Sequence, residues 1–187
     1  VTAITGHTAE TSIADGDTLL IHDASASALR KMTKANFVSG VGGDNTPYLE
    51  VVLSTVAVTL SSGSATKIPF NVTKHNVGGG TWDGTNYRYT PGVAGRYMVS
   101  VTASISADSN SAQMATLLSI TKNGTIEHYA SGHNNRDEGQ GRGSISGGIC
   151  MVDLDTNDYV EAFATNTSES SANGRIDGES TQTFMSI

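Results

Sequence analysis

The chain has 187 residues, room for one domain of ordinary size and a short appendage. Its formal charge of −7, from 18 acidic and 11 scattered basic side chains, argues against a nucleic-acid or anionic-membrane partner, since both need a basic face. Cys150 is the only cysteine, which excludes an intrachain disulfide, and no apolar run nears the length of a membrane-spanning helix.

Glycine is abundant, with 21 residues, and Ser, Thr and Asn crowd the gaps between short apolar runs. No long segment keeps a 3.6-residue apolar period; the strongest helical stretch, SASALRKMTKANF, is short and broken by Ser and Thr. The pattern reads as all-β.

Residues 1–40 hold DTLLIHD and LRKMTKANF, separated by the small-residue stretch ASASA. The spacing predicts a β-hairpin, or a strand and a short helical turn, with too little apolar content for an independent core. We read 1–40 as a stem or adaptor segment, Gly-rich 41–47 as a linker, and 48–187 as the main domain.

From Tyr48 onward strand signals follow at short intervals. They are YLEVVLSTVAVTL, TKIPFNVT, then a Gly-rich NVGGGTWDG leading into NYRYT, and GRYMVSVTASIS. MATLLSITK, TIEHYAS, GSISGGICMVDL, DYVEAFAT and STQTFMSI complete the series. In GRYMVSVTASIS, Tyr97, Val99, Val101 and Ala103 fall on one side and Met98, Ser100, Thr102 and Ser104 on the other, as a half-buried strand requires.

Antiparallel strands alternate direction, so successive loops alternate between the two ends of the domain. The tight turns PGVAG, KNG and DTND sort to one end; ADSNSAQ, SGHNNRDEGQGRG and NTSESSANGRIDGES sort to the other. Long loops in a compact domain are usually functional. Their candidate contact residues are Ser109 and Asn110; His133, Asn134, Asn135, Arg136 and Asp137; and Asn173, Arg175 and Asp177. Amide, guanidinium and carboxylate groups suit sugar hydroxyls, which both donate and accept.

Phe70, Asn76, Trp82, Tyr89, Gly95 and Tyr97 resemble the signature of the complement 1q head and tumour necrosis factor superfamily. Trp82 arrives one residue late, and Val99, Val101 and Gln182 stand where aromatics are usual. MATLLSITKNGTI is similar to the family's lysine-turn hairpin, and the strands of GSISGGICMVDLDTNDYVEAFAT resemble its pair around a Gly-Asp turn. The resemblance covers residues 48–187 and implies an antiparallel jelly-roll sandwich that assembles as a homotrimer. One face of DYVEAFAT carries Val160, Ala162 and Ala164, and the other carries Tyr159 and Phe163, which suggests a second burial surface between subunits.

IADGDTLLIHDASASALRKMTKANF resembles the stem or adaptor segments of bacteriophage tail fibres, and no collagen-type triplets occur there. The two resemblances together imply a non-enzymatic trimeric tip of a phage tail fibre. It would bind a bacterial cell-surface glycan or outer-membrane protein and join the rest of the fibre through its N-terminus. A virion protein assembled in a bacterial cytoplasm also suits the lack of disulfides. The rival readings are a structural domain that trimerises a fibre or decorates a capsid, and a small carbohydrate-cleaving enzyme.

Other chemistry is thinner. His128 and His133 with Asp137 and Glu138 match no zinc or EF-hand spacing, and read more plainly as a strand histidine beside a solvated loop. The resemblance offers Asp177 and Glu179, or Asp153, Asp155 and Asp158, to calcium; the two groups belong to opposite ends, and we assign no metal and expect no cofactor. Asp137, Glu138, Asp177 and Glu179 are the acids available for glycoside cleavage, but the chain is too short for the β-helical or propeller bodies such enzymes use. GQGRG lacks the strand-then-helix setting of a nucleotide loop. Asn71, Asn123 and Asn166 begin glycosylation-type triplets that chance alone produces in so Asn- and Thr-rich a chain. Trp82 is expected to anchor the Gly-rich loop, half-buried, and Cys150 to be a buried thiol.

Overall fold

The alternation in GRYMVSVTAS becomes a strand of 13 residues, β9 (Gly95–Ala107), at the centre of a sheet. The computed structural model describes residues 12–39, 47–107, 114–135, 144–168 and 173–187. It divides into two units, Val1–Asn45 and Thr46–Ile187.

In the first unit β1 (Thr18–Asp23) and β2 (Ala28–Thr33) form an antiparallel hairpin. Asp23 shapes its turn: Oδ1 accepts from Ser25 Oγ at 2.6 Å, from the Ala26 N–H at 3.1 Å and from the Ser25 N–H at 3.0 Å, which holds the carboxyl below its ordinary pKa. A single helical turn, α1 (Lys34–Val38), follows, with Thr33 as its N-cap. Both forms expected from the sequence are therefore present in succession. None of this unit's described residues is buried, and Leu20, Leu29 and Phe37 are exposed.

The second unit is a sandwich of two antiparallel sheets, a jelly roll. One sheet contains β3 (Tyr48–Val52), β4 (Val58–Leu60), β6 (Val72–Val77), β9, β12 (Ser144–Leu154), β14 (Gly174–Ile176) and β15 (Phe184–Ser186). β12 lies along one side of β9; β14 and β15 lie end to end along the other. The second sheet contains β5 (Ala65–Lys67), β7 (Thr81–Asp83), β8 (Arg88–Thr90), β10 (Met114–Lys122), β11 (Thr125–Asn135) and β13 (Val160–Ser168).

Inward residues of both sheets make one core: Val99, Val101, Ala103 and Ile105 from β9 meet Leu118 and Ile120 from β10 and Val160, Ala162 and Ala164 from β13. Each fully buried aliphatic side chain contributes ~1.5–3 kcal/mol by leaving water. Trp82 is half-buried, packed edge-on against Phe70 with ring centroids 6.4 Å apart, and so anchors the end of the Gly-rich segment. Cys150 is buried among these residues, and burial pushes its thiol above the ordinary range.

Several expected strands change length. YLEVVLSTVAVTL is two strands, β3 and β4, interrupted at 53–57, and STQTFMSI pairs only over Phe184–Ser186. NVGGGTWDG, expected as a loop, contributes to β6 and β7. The outer face of β13 is covered from within the chain. Lys67 Nζ stands 5.5 Å from the Phe163 ring centroid, and the Arg88 guanidinium stands 4.8 Å from that of Tyr159. The open apolar surface lies instead on the other sheet, where Met98, Ile145, Ile149 and Met151 point outward, each 59 or 61 % exposed.

Candidate functional site

Strand register fixes where the connections go. Met114 pairs with Asn135 and Ser168, Ile105 with Ser144, and Ala107 with Gly174. The strand ends Ala107, Met114, Asn135, Ser144, Ser168 and Gly174 therefore share one end of the sandwich. At the opposite end Gly95 pairs with Leu154, and Lys122 with Thr125 and Val160. Leu49 and Ile187 exchange backbone hydrogen bonds of 2.9 Å, and the run of β3 and β15 against β9 sets Tyr48 and Ile187 toward this short-turn end.

The expected contact residues separate on inspection. His133, Asn134 and Asn135, expected in a loop, belong to the last rungs of β11, opposite Thr116, Ala115 and Met114. Ser109, Asn110, Arg136 and Asp137 lie outside the described residues. The stretch 166–180, also expected as a loop, contains the end of β13 and all of β14, so Arg175 is a strand residue. Asn173 is exposed just before it.

Asp177 is a structural hub. Its Oδ1 accepts from Arg175 Nε at 2.8 Å and from Ser106 Oγ at 3.2 Å, its Oδ2 from Ser104 Oγ at 3.4 Å, and its carbonyl from Thr183 Oγ1 at 2.9 Å. The carboxylate thus ties β14 to β9 and is largely occupied. Arg175, half-exposed, reaches it from two residues away.

Two of the three acids at the other end, Asp153 and Asp158, are occupied as well. Asp153 forms a two-bond pair with Arg96, at 2.7 and 3.1 Å. Asp158 accepts from the Asp155 backbone N–H, from Lys122 Nζ and from Asn123 Nδ2, which together pull its pKa down to about 2. Among the described residues no cluster of three His, Cys, Asp or Glu side chains is placed to hold a metal ion. No helix among them is long and apolar enough to cross a membrane.

Sequence reasoning missed a polar groove beside Asp177, lined by Ser54, Thr55, Glu179 and Gln182 among others. Arg175, Asp177 and Glu179 of its lining were among the expected contact or acid residues, and the further signal was the Asp177-Gly178 pair beside them.

Comparison with solved structures places this architecture. The structure of Eiger TNF from S. frugiperda superposes with a TM-score of 0.52 at 13 % identity, over 74 % of this chain and 88 % of that one. The likeness is one of fold, a tumour necrosis factor-like jelly roll. The infectious bursal disease virus VP2 subviral particle gives a TM-score of 0.34 at 6 % identity, over 95 % of this chain and 44 % of that one. No protein-family model and no curated protein matches the chain.

Proposed function

We propose that the chain is a non-enzymatic, homotrimeric head of a virion fibre, of the bacteriophage tail-fibre kind, that attaches to a bacterial cell-surface glycan or outer-membrane protein. The observation that carries this reading is that Ala107, Met114, Asn135, Ser144, Ser168 and Gly174, the strand ends joined by the long connections, share the end opposite Tyr48 and Ile187. A head joined to a fibre at its short-turn end would present those connections to the host. Individual contacts would be weak, but three copies on one axis raise apparent affinity by ~10²–10⁴.

The open face of Met98, Ile145, Ile149 and Met151 favours assembly, and it is the surface through which we bring the copies together. It also supports a second reading, a fibre-trimerising or capsid-decorating domain with no receptor of its own.

A panel of bacterial strains separates the two. The labelled chain should attach to one strain and not to its relatives. Replacing Asn134, Asn135 and Arg136 by Ala should abolish attachment without changing mass or melting temperature. A trimer that attaches to no strain supports the structural reading, and full attachment by the triple variant moves recognition away from 131–143.

A further inference from the structure

Between β14 and β15 the chain leaves the sheet, and residues 177–183 meet residues 53–57, which join β3 to β4. The two segments are built against each other. The Leu53 N–H donates to the Thr183 carbonyl at 2.9 Å and the Thr55 N–H to the Gly178 carbonyl at 2.8 Å. A Cβ at Gly178 would overlap the backbone of Val56, so only glycine permits this approach. Asn71 locks the other side: Oδ1 accepts from the Ser54 N–H at 2.8 Å and Nδ2 donates to the Ser54 carbonyl at 3.0 Å.

This bracing holds Thr55 at φ 65°, in the left-handed region where a β-branched residue is an outlier. Backbone strain persists only where the surroundings over-determine it, and it gathers at ligand clamps and active sites.

Beside Thr55 lies a groove of about 800 Å³, within the size range that holds small ligands. Among the described residues of its lining Ala57 is the sole apolar side chain, which leaves an apolar anchor little to pack on. The polar groups are of both kinds. Among the described residues nothing engages the Glu179 carboxylate or the Gln182 side-chain amide. Arg175 spends Nε on Asp177, and a guanidinium carries further N–H donors. With Asp177 matched by Arg175, Glu179 is left as net negative charge in the groove.

We propose that this groove binds a saccharide unit, neutral or amine-bearing. Sugar hydroxyls need donors and acceptors together, which Arg175, Gln182, Glu179 and the Ser54 and Ser180 hydroxyls supply. The unmatched Glu179 disfavours acidic sugars and phosphate. The inference rests on the adhesion reading above and adds a built groove to its contacts.

The test is an array of neutral, amine-bearing and acidic oligosaccharides probed with the full chain, followed by titration of the best ligand into isotope-labelled protein. Retention of a neutral or amine-bearing sugar is expected, with shifts at the Gly178 amide and the Gln182 side chain. Glu179→Ala and Gln182→Ala should each weaken binding about tenfold or more with no change in melting temperature. No retention at all, retention of acidic sugars alone, or full binding by both variants would overturn the groove. Shifts confined to 108–113 or 136–143 remove the groove and leave host adhesion standing. Shifts in the groove by a chain that attaches to no bacterium support the groove and remove host adhesion.

Discussion

Met98 and Met151 stand directly opposite each other on β9 and β12, point away from the core, and are both 59 % exposed. Flexible thioethers on the central strand and on its outer neighbour, flanked by Ile145 and Ile149, form an apolar surface with no cover within the described residues. Light scattering should give about three times the monomer mass of 19.4 kDa. Met98→Glu with Met151→Glu should reduce that to one copy while the β-sheet circular dichroism is kept. A native monomer at micromolar concentration sinks the trimer, and an unchanged mass for the double variant moves the contact to another face.

Glu161 is almost fully buried, ion-paired to Lys67 and hydrogen-bonded by Thr121 Oγ1 at 3.3 Å. Lys67→Met strands that carboxylate and should cost ~3–5 kcal/mol, whereas adding Glu161→Leu should recover most of the loss. A double-mutant cycle by urea unfolding measures the coupling. Additive losses would show that the pair is not one unit.

Gly178→Ala drives a methyl group into the backbone of Val56, and overpacking of this kind costs ~1–3 kcal/mol. Its melting temperature should fall by several degrees. Gly84→Ala, where the new Cβ would meet Trp82 Nε1 at an ordinary 3.6 Å, is the control and should stay near native.

Asp83 and Asp158 both titrate at about 2 in the folded chain against an ordinary 3.8; Asn86 holds the first and the Asp155 N–H, Lys122 and Asn123 the second. A depressed folded pKa means that the unfolded chain takes up the proton first. The stability these groups add is therefore complete above 3.8 and is lost as pH falls from there through about 2. Urea midpoints between pH 6 and pH 2 should drop in that window. Asp158→Asn should lower the neutral plateau and flatten the drop; an identical acid limb in the variant would show that Asp158 contributes nothing.

No described residue before the linker is buried, so the head should not need that unit to fold. Deleting residues 1–45 should leave cooperative unfolding and the β-sheet spectrum intact. Loss of folding would mean that the head depends on this segment.

Legibility followed the burial of alternate side chains. β9, β10, β12 and β13 could be read because one face of each is packed: Val99, Val101 and Ala103 beside Met98, Ser100 and Thr102 leave no other register. β6 had no such mark. All six of its residues are exposed, and it is held to β3 by backbone pairing and one ring contact, His75 on Tyr48 with centroids 6.0 Å apart. The same holds for the last rungs of β11, where Ser131 to Asn135 pair with β10 without an apolar period to announce it. β7 and β14, with three residues each, are too short for periodicity to register. The groove was invisible for a different reason: Thr55 and Gly178 are far apart in the chain, and their contact is created by the sandwich. A second burial surface was expected on Tyr159 and Phe163 because two apolar faces look alike in sequence; packing adds that Lys67 and Arg88 lie over those half-buried rings.

The reciprocal hydrogen bonds between Leu49 and Ile187 bear on how the head would carry load. β3 lies beside β15, and β15 beside β9, whose far end faces the long connections. A pull between Tyr48 and a ligand held at the opposite end would run nearly parallel to these strands. The ladder would be sheared, so that many backbone bonds must fail together, and not peeled one rung at a time.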